Sequence, residues 1–152
     1  MQSGRKRSTR RKSMSSEFDL VAYEMVVRNA VWPKLPIIMA EMESEDGPIV
    51  YVSRFAADIF GYTPEELLGQ PIETLVPESL HSQHKSWRRD ASVPKMRLMG
   101  QGRQIYGRRK DGALFPVHVG LTSTEVAGKQ IGVAFVVDLT GVTIGHAMEE
   151  HP

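Results

Sequence analysis

The sequence predicts an α+β domain, one antiparallel sheet with its helices largely on one face. Three observations lead there. Apolar residues recur at helical spacing near the N-terminus and again between Phe55 and Trp87. Strand-like runs fill the last third. Short turns join those runs, so successive strands lie antiparallel in a single sheet.

The chain has 152 residues, 41% hydrophobic and 24% charged, which makes one ordinary domain with no room for a sensor joined to a kinase. Cysteine is absent. That excludes disulfides, thiolate metal sites, cysteine nucleophiles, covalent flavin–thiol photochemistry and thioether-linked haem. No apolar run reaches the roughly 18 to 20 residues of a membrane span. The basic N-terminus has no apolar stretch behind it, so it is not read as a secretory signal. The expected location is cytoplasmic, with no membrane contact.

A net charge of +1 hides an asymmetry. Arg5, Lys6, Arg7, Arg10, Arg11 and Lys12 give residues 1–14 six cations and no acid; 13 basic and 18 acidic residues remain beyond them. Residues 1–16 are expected to be a disordered basic tail. It serves as a solubilising leader or, alternatively, as a weak, salt-dependent contact for nucleic acid or an anionic surface.

Ser15-Ser16-Glu17 reads as a helix start, and residues 17–33 as a flanking helix. Phe18, Val21, Ala22, Met25 and Val26 form one apolar row; Leu20, Tyr23, Val27 and Val31 form another. A helix apolar on two sides needs two partners. One is assigned to its own domain and the other to a second copy, giving a homodimer through residues 17–32. Pro33 and Pro36 end the helix.

Ile37-Ile38-Met39-Ala40 and Ile49-Val50-Tyr51-Val52 are predicted strands around a Glu45-Asp46-Gly47-Pro48 turn. Phe55, Ala56, Ile59 and Phe60 then follow helical spacing up to Gly61. Thr63-Pro64-Glu65-Glu66 starts another short helix, with Leu67 and Leu68 as its apolar side and Gly69 as its stop. Glu78 to Asp90 reads as one helix. Leu80, His84 and Trp87 share its inward face, while His81, Lys85 and Arg88 share an outward one.

Gly102 to Arg109 is a predicted strand, turned by Lys110-Asp111-Gly112 into a partner over Leu114–Thr122. Phe115, Val117, Val119 and Leu121 face the core, which puts His118 on the other side. Ile131 to Val137 is apolar at nearly every position, so a central strand covered on both faces is expected.

Ile49-Val50-Tyr51-Val52-Ser53, Ala56-Ala57 and Phe60-Gly61-Tyr62-Thr63-Pro64-Glu65-Glu66-Leu67-Leu68-Gly69 resemble the front half of a PAS domain. Gly107-Arg108-Arg109-Lys110-Asp111-Gly112, Phe115-Pro116-Val117 and Val137-Asp138-Leu139-Thr140 resemble its back half. The likeness covers residues 36–140, leaving 141–152 as a tail or the start of a signalling linker. It implies the PAS fold, a five-stranded antiparallel sheet with helices on one face forming a pocket. It also implies sensing or interaction rather than catalysis. Ser53 departs from the asparagine common in the family, which is expected to weaken a local turn contact.

Within the family the chain is most similar to rhizobial oxygen-sensing haem PAS domains. His84-Lys85-Ser86-Trp87 stands where those carry an iron-ligating histidine, and Gly100-Gln101-Gly102-Arg103 where their arginine meets oxygen. The resemblance therefore implies haem, with His84 as iron ligand and Arg103, Trp87, Leu98, Met99, Val117, Val119 and Leu121 around it. A propionate-pairing basic residue of those proteins falls near Asp90, and Arg88, Arg89 or Arg97 is expected to substitute. Haem binding asks for a neutral imidazole aimed into an apolar slot. The alternatives are a non-covalent flavin, with Trp32 and Trp87 as neighbours, or no cofactor.

Each of these residues has a plainer reading. His84 can be a core-edge histidine bonded to backbone, and Arg103 a surface arginine paired with Asp90 or Glu78. His81, His146 and His151 read as solvated, and the eight methionines as core filling. No nucleophile–base pair, metal triad or phosphate loop appears, so the chain is not read as an enzyme. A sensor of this kind acts on a kinase or transcription regulator of a two-component type. A PAS module for dimerisation or protein docking is the other reading.

Overall fold

The computed structural model describes residues 20–31, 34–90, 97–99 and 103–142. The chain divides into two units, residues 1–34 and 35–152. In the first, residues 20–26 are helical (α1) and run into a π-helical turn, Val27–Val31. Leu20, Val21, Tyr23, Met25, Val26 and Val27 are all exposed along it. The basic tail, Phe18 and Trp32 lie outside the described residues.

The second unit is built on an antiparallel sheet. Its strands are β1 (Ile37–Glu41), β2 (Ile49–Val52), β3 (Arg97–Leu98), β4 (Ile105–Arg108), β5 (Leu114–Val126) and β6 (Lys129–Asp138). The order is β2-β1-β6-β5, and β5 then pairs with both β3 and β4. Leu98 faces Gly120 and Ile105 faces Val117, so these two short strands share one edge of β5. The sheet thus has five positions, the last filled in two pieces. The strand read as Gly102–Arg109 begins at Ile105, and the 13-residue β5 outruns its predicted end at Thr122.

Between β2 and β3 lie α2 (Arg54–Phe60), α3 (Pro64–Leu67), two 3-10 turns (Ile72–Leu75 and Glu78–Leu80) and α4 (His81–Arg89). The segment read as a single helix from Glu78 is therefore a tight turn leading into α4. Ser53 Oγ accepts from Ala56 N at 3.2 Å and from Ile37 N at 3.1 Å, and donates to Leu35 O. The hydroxyl is fully used, and Ser53 ties β1 to the start of α2 at this corner. Thr63 and Glu66 form a reciprocal capping box on α3. Leu67 is buried beneath it, but Leu68 turns outward and is exposed.

The core joins the inner face of β1, β5 and β6 to α2 and α3. Phe60 and Phe115 meet edge to face at a centroid distance of 5.3 Å. β6 is central, and its two faces are covered unequally: Val136 is buried on the inner face, whereas on the other face Ile131 is buried but Phe135 and Val137 are exposed. Its apolar run marked a central position, and on the outer face Phe135 and Val137 stay at the surface. His118 is exposed on β5, opposite the core set.

Candidate functional site

The helical layer and the inner sheet face do not close on each other completely. They leave a cavity of about 630 Å³, within the roughly 300–1,000 Å³ of small-molecule sites. Ile38 and Ala40 of β1, Val117, Val119 and Leu121 of β5, and Ala134 of β6 form its apolar floor. Gly132 keeps that floor low, since a Cβ there would stand 2.3 Å from Met42 Sδ. His84, Trp87 and Leu80 come from the helical side, and Met99, Arg103 and Gln104 from the β3–β4 edge.

Of the sequence-predicted residues, His84, Trp87, Met99, Arg103, Val117, Val119 and Leu121 thus meet at one cavity. Arg103 is exposed at its rim. Leu98 pairs with Gly120 on β3, and its side chain lies outside the described residues. So do Gly100, Gly102, the side chain of Arg97, and His146 and His151. Leu80 lines the cavity but is exposed. His81 departs from the outward reading: it is half-buried, with Nε2 2.8 Å from Val76 O.

His84 is half-buried, and its ring lies 5.9 Å from that of Trp87 at a 47° tilt. Its Nδ1 sits 2.6 Å from Oε2 of Glu73 on the first 3-10 turn. Arg88, one helical turn after His84, is 1% exposed. Its Nε is 3.0 Å from Glu73 Oε2 and its Nη2 3.0 Å from Oε1. The remaining donors reach the β1–β2 loop: Nη1 to Met42 O at 3.0 Å and Ser44 O at 2.6 Å, Nη2 to Glu45 O at 3.1 Å. Gly47, at φ +53°, passes so close that a Cβ would meet Arg88 Cζ at 2.4 Å.

Arg88 is the clearest departure from the sequence reading. It belongs to the inner side of α4, because a buried carboxylate and three loop carbonyls satisfy its whole guanidinium. It is therefore committed to the fold and is not a free cation for a propionate. Arg89 points elsewhere, pairing with Glu45 at 2.8 Å.

Sequence reasoning missed Glu73. Burial alone would raise its carboxyl, but the hydrogen bonds from His84 and Arg88 outweigh that and hold it at about 2. Its only sequence signal is an acid inside the apolar run Ile72-Glu73-Thr74-Leu75.

Haem fits this donor set. Nδ1 of His84 is taken by a carboxylate, which leaves Nε2 as the nitrogen available to iron. The cavity walls are largely apolar, and Arg103 supplies a cation at the rim. Among the described residues no cluster of three histidine or acidic side chains could hold a bare metal ion, and no helix is long and apolar enough to cross a membrane.

This sheet, its one-sided helical layer and the cavity between them define a PAS domain. Residues 36–141 match the sequence profile of the PAS domain family, and the chain belongs to it. It is 34% identical over 95 residues to the sensor protein FixL of Bradyrhizobium diazoefficiens, which covers 62% of this chain and 19% of that protein. It is 27% identical over 100 residues to the oxygen sensor protein DosP of Escherichia coli, covering 65% of this chain and 12% of that one. The chain spans only a small part of these relatives. The PAS domain of an HTR-like protein from Haloarcula marismortui shares the fold, with TM-score 0.56 at 21% identity over 85% of this chain and 98% of that one.

Proposed function

We propose that this domain is a sensor whose cavity takes a haem ligated by Nε2 of His84, and that it reports the state of that site to a kinase or transcription regulator. The observation that carries the proposal is the pairing of His84 Nδ1 with Glu73 at the wall of an apolar cavity of about 630 Å³. A histidine placed there only for packing needs no carboxylate; a metal-binding one gains orientation and basicity from it. When bound, haem supplies the ligand-exchange and redox chemistry of iron.

The residues of the chain do the rest. His84 holds the group, and Val117, Val119 and Leu121 keep water from one side of it. Arg103, at the rim, offers donors to a polarised ligand or to a propionate. The domain itself carries no catalytic step, and cytoplasmic location remains part of the proposal. Residues 17–32 form the homodimer contact. The test is the visible spectrum of purified protein, in which a flavin-type double band would replace haem with a non-covalent flavin beside Trp87.

A second reading is a cofactor-free module for dimerisation or protein docking. The exposed Val50, Phe135 and Val137 of the sheet favour it. It predicts a colourless protein that still self-associates.

A further inference from the structure

We propose that Glu73 is the positioning residue of the cavity histidine: it fixes the tautomer of His84, so that Nε2 is the one nitrogen offered to a cavity ligand. Where that ligand is iron, the inference rests on the haem reading; the tautomer itself does not.

The protons can be assigned from the donors around Glu73. Arg88 donates to both carboxylate oxygens, Nε to Oε2 and Nη2 to Oε1, each at 3.0 Å. A guanidinium has donors and no acceptor, so both oxygens are acceptors in this pair. The proton in the 2.6 Å contact between Oε2 and His84 Nδ1 therefore lies on the nitrogen. A neutral imidazole has one N–H. With that proton on Nδ1, the lone pair is on Nε2.

Arg88 makes the arrangement rigid. Two contacts fix the plane of the carboxylate, and three loop carbonyls fix the guanidinium. Glu73, 4% exposed, cannot turn toward water without breaking both partners. The ion pair would be complete without His84. The short contact on the same Oε2 is an additional use of the carboxylate, and it points at the only histidine that lines the cavity among the described residues. A carboxylate on Nδ1–H also makes Nε2 a stronger electron donor. Such a ligand favours the oxidised state of a bound iron.

The first test needs neither cofactor nor variant fold. Long-range proton–nitrogen NMR of the cofactor-free protein, at a pH where the ring is neutral, reads which nitrogen carries the proton. The His84 signals are assigned by their loss in His84→Gln. The expected result is a protonated Nδ1 and a bare Nε2; a His84 with Nε2 protonated overturns the proposal. The second test uses Glu73→Gln, which keeps the shape and removes the charge. In haem-loaded protein its midpoint potential should rise and its iron–histidine stretch should fall in frequency. Both values unchanged would overturn the proposal while leaving the haem reading intact. No haem uptake by wild-type protein defeats the haem reading alone, and the NMR result still decides the role of Glu73. It does so as well if Glu73→Gln fails to fold.

Discussion

Arg88 grips Glu73 at two points, Nε on Oε2 and Nη2 on Oε1, each at 3.0 Å and with both side chains almost sealed from water. The pair joins three pieces distant in sequence: the 3-10 turn at Glu73, helix α4 and the β1–β2 loop. Since His84 sits on the same carboxylate, the cavity histidine and the framework of the helical layer share one anchor. Any change in how His84 is held acts directly on that anchor.

Removing one partner of such a pair leaves an uncompensated buried charge. Arg88→Ala should cost about 3–5 kcal/mol of unfolding free energy. Arg88→Lys should recover only part of it, because an ammonium cannot reach the carboxylate and three carbonyls in fork geometry. Urea unfolding of cofactor-free protein measures both. A loss below about 1 kcal/mol for Arg88→Ala, the range of an exposed ion pair, would show that the anchor is not structural.

Gly47 supports the same anchor from the loop side. Gly47→Ala adds a Cβ 2.4 Å from Arg88 Cζ, at φ +53°. Gly112→Ala, at φ +92° with no atom within 4 Å, adds backbone strain alone. The strain costs about 1–2 kcal/mol in either place. Gly47→Ala should therefore be clearly the more destabilising of the two by thermal unfolding, and equal losses would contradict the packing described.

Glu73 also predicts an acid dependence. Its carboxyl is held at about 2 against an ordinary 4.5, because the hydrogen bonds from His84 and Arg88 outweigh its burial. The unfolded chain therefore takes up this proton first as pH falls. The stabilisation is whole above about pH 4.5 and is lost toward pH 2, roughly 3 kcal/mol at 1.36 kcal/mol per pKa unit. Glu66 and Asp138 are lowered too, so the comparison is with Glu73→Gln. Between pH 5 and pH 3 the wild type should lose more stability than this variant. Parallel loss in the two would remove Glu73 as the cause.

The apolar residues exposed between Leu20 and Val27 bear on assembly. Val27→Asp, or removal of residues 17–32, should turn a dimer into a monomer by light scattering. A dimer that survives both changes would move the interface elsewhere.

Most of the fold was legible because its signals are local. The Thr63-Pro64-Glu65-Glu66 cap, the Asp111-Gly112 turn and the alternation from Phe115 to Leu121 each state their structure within a few residues. The cavity wall followed from the same alternation, and His84 from its helical spacing with Trp87. Arg88 did not follow, because its type suggests solvent. Glu73 lies 15 residues before it, and the three carbonyls it binds more than 40 before it. Only the folded chain brings them together. Likewise the apolar run of β6 reported its central position but not that Phe135 and Val137 stay exposed.

The proposed function turns on His84 carrying a haem in this cavity. The direct measurement is the absorption spectrum of protein produced with ample haem precursor, for the wild type, His84→Ala and His81→Ala. A Soret band that shifts on reduction and with oxygen is expected in wild type and in His81→Ala, and its loss in His84→Ala. A band of equal strength in all three would contradict the ligand assignment. A flat visible spectrum from folded wild-type protein would contradict haem altogether and leave the docking module as the function of this PAS domain.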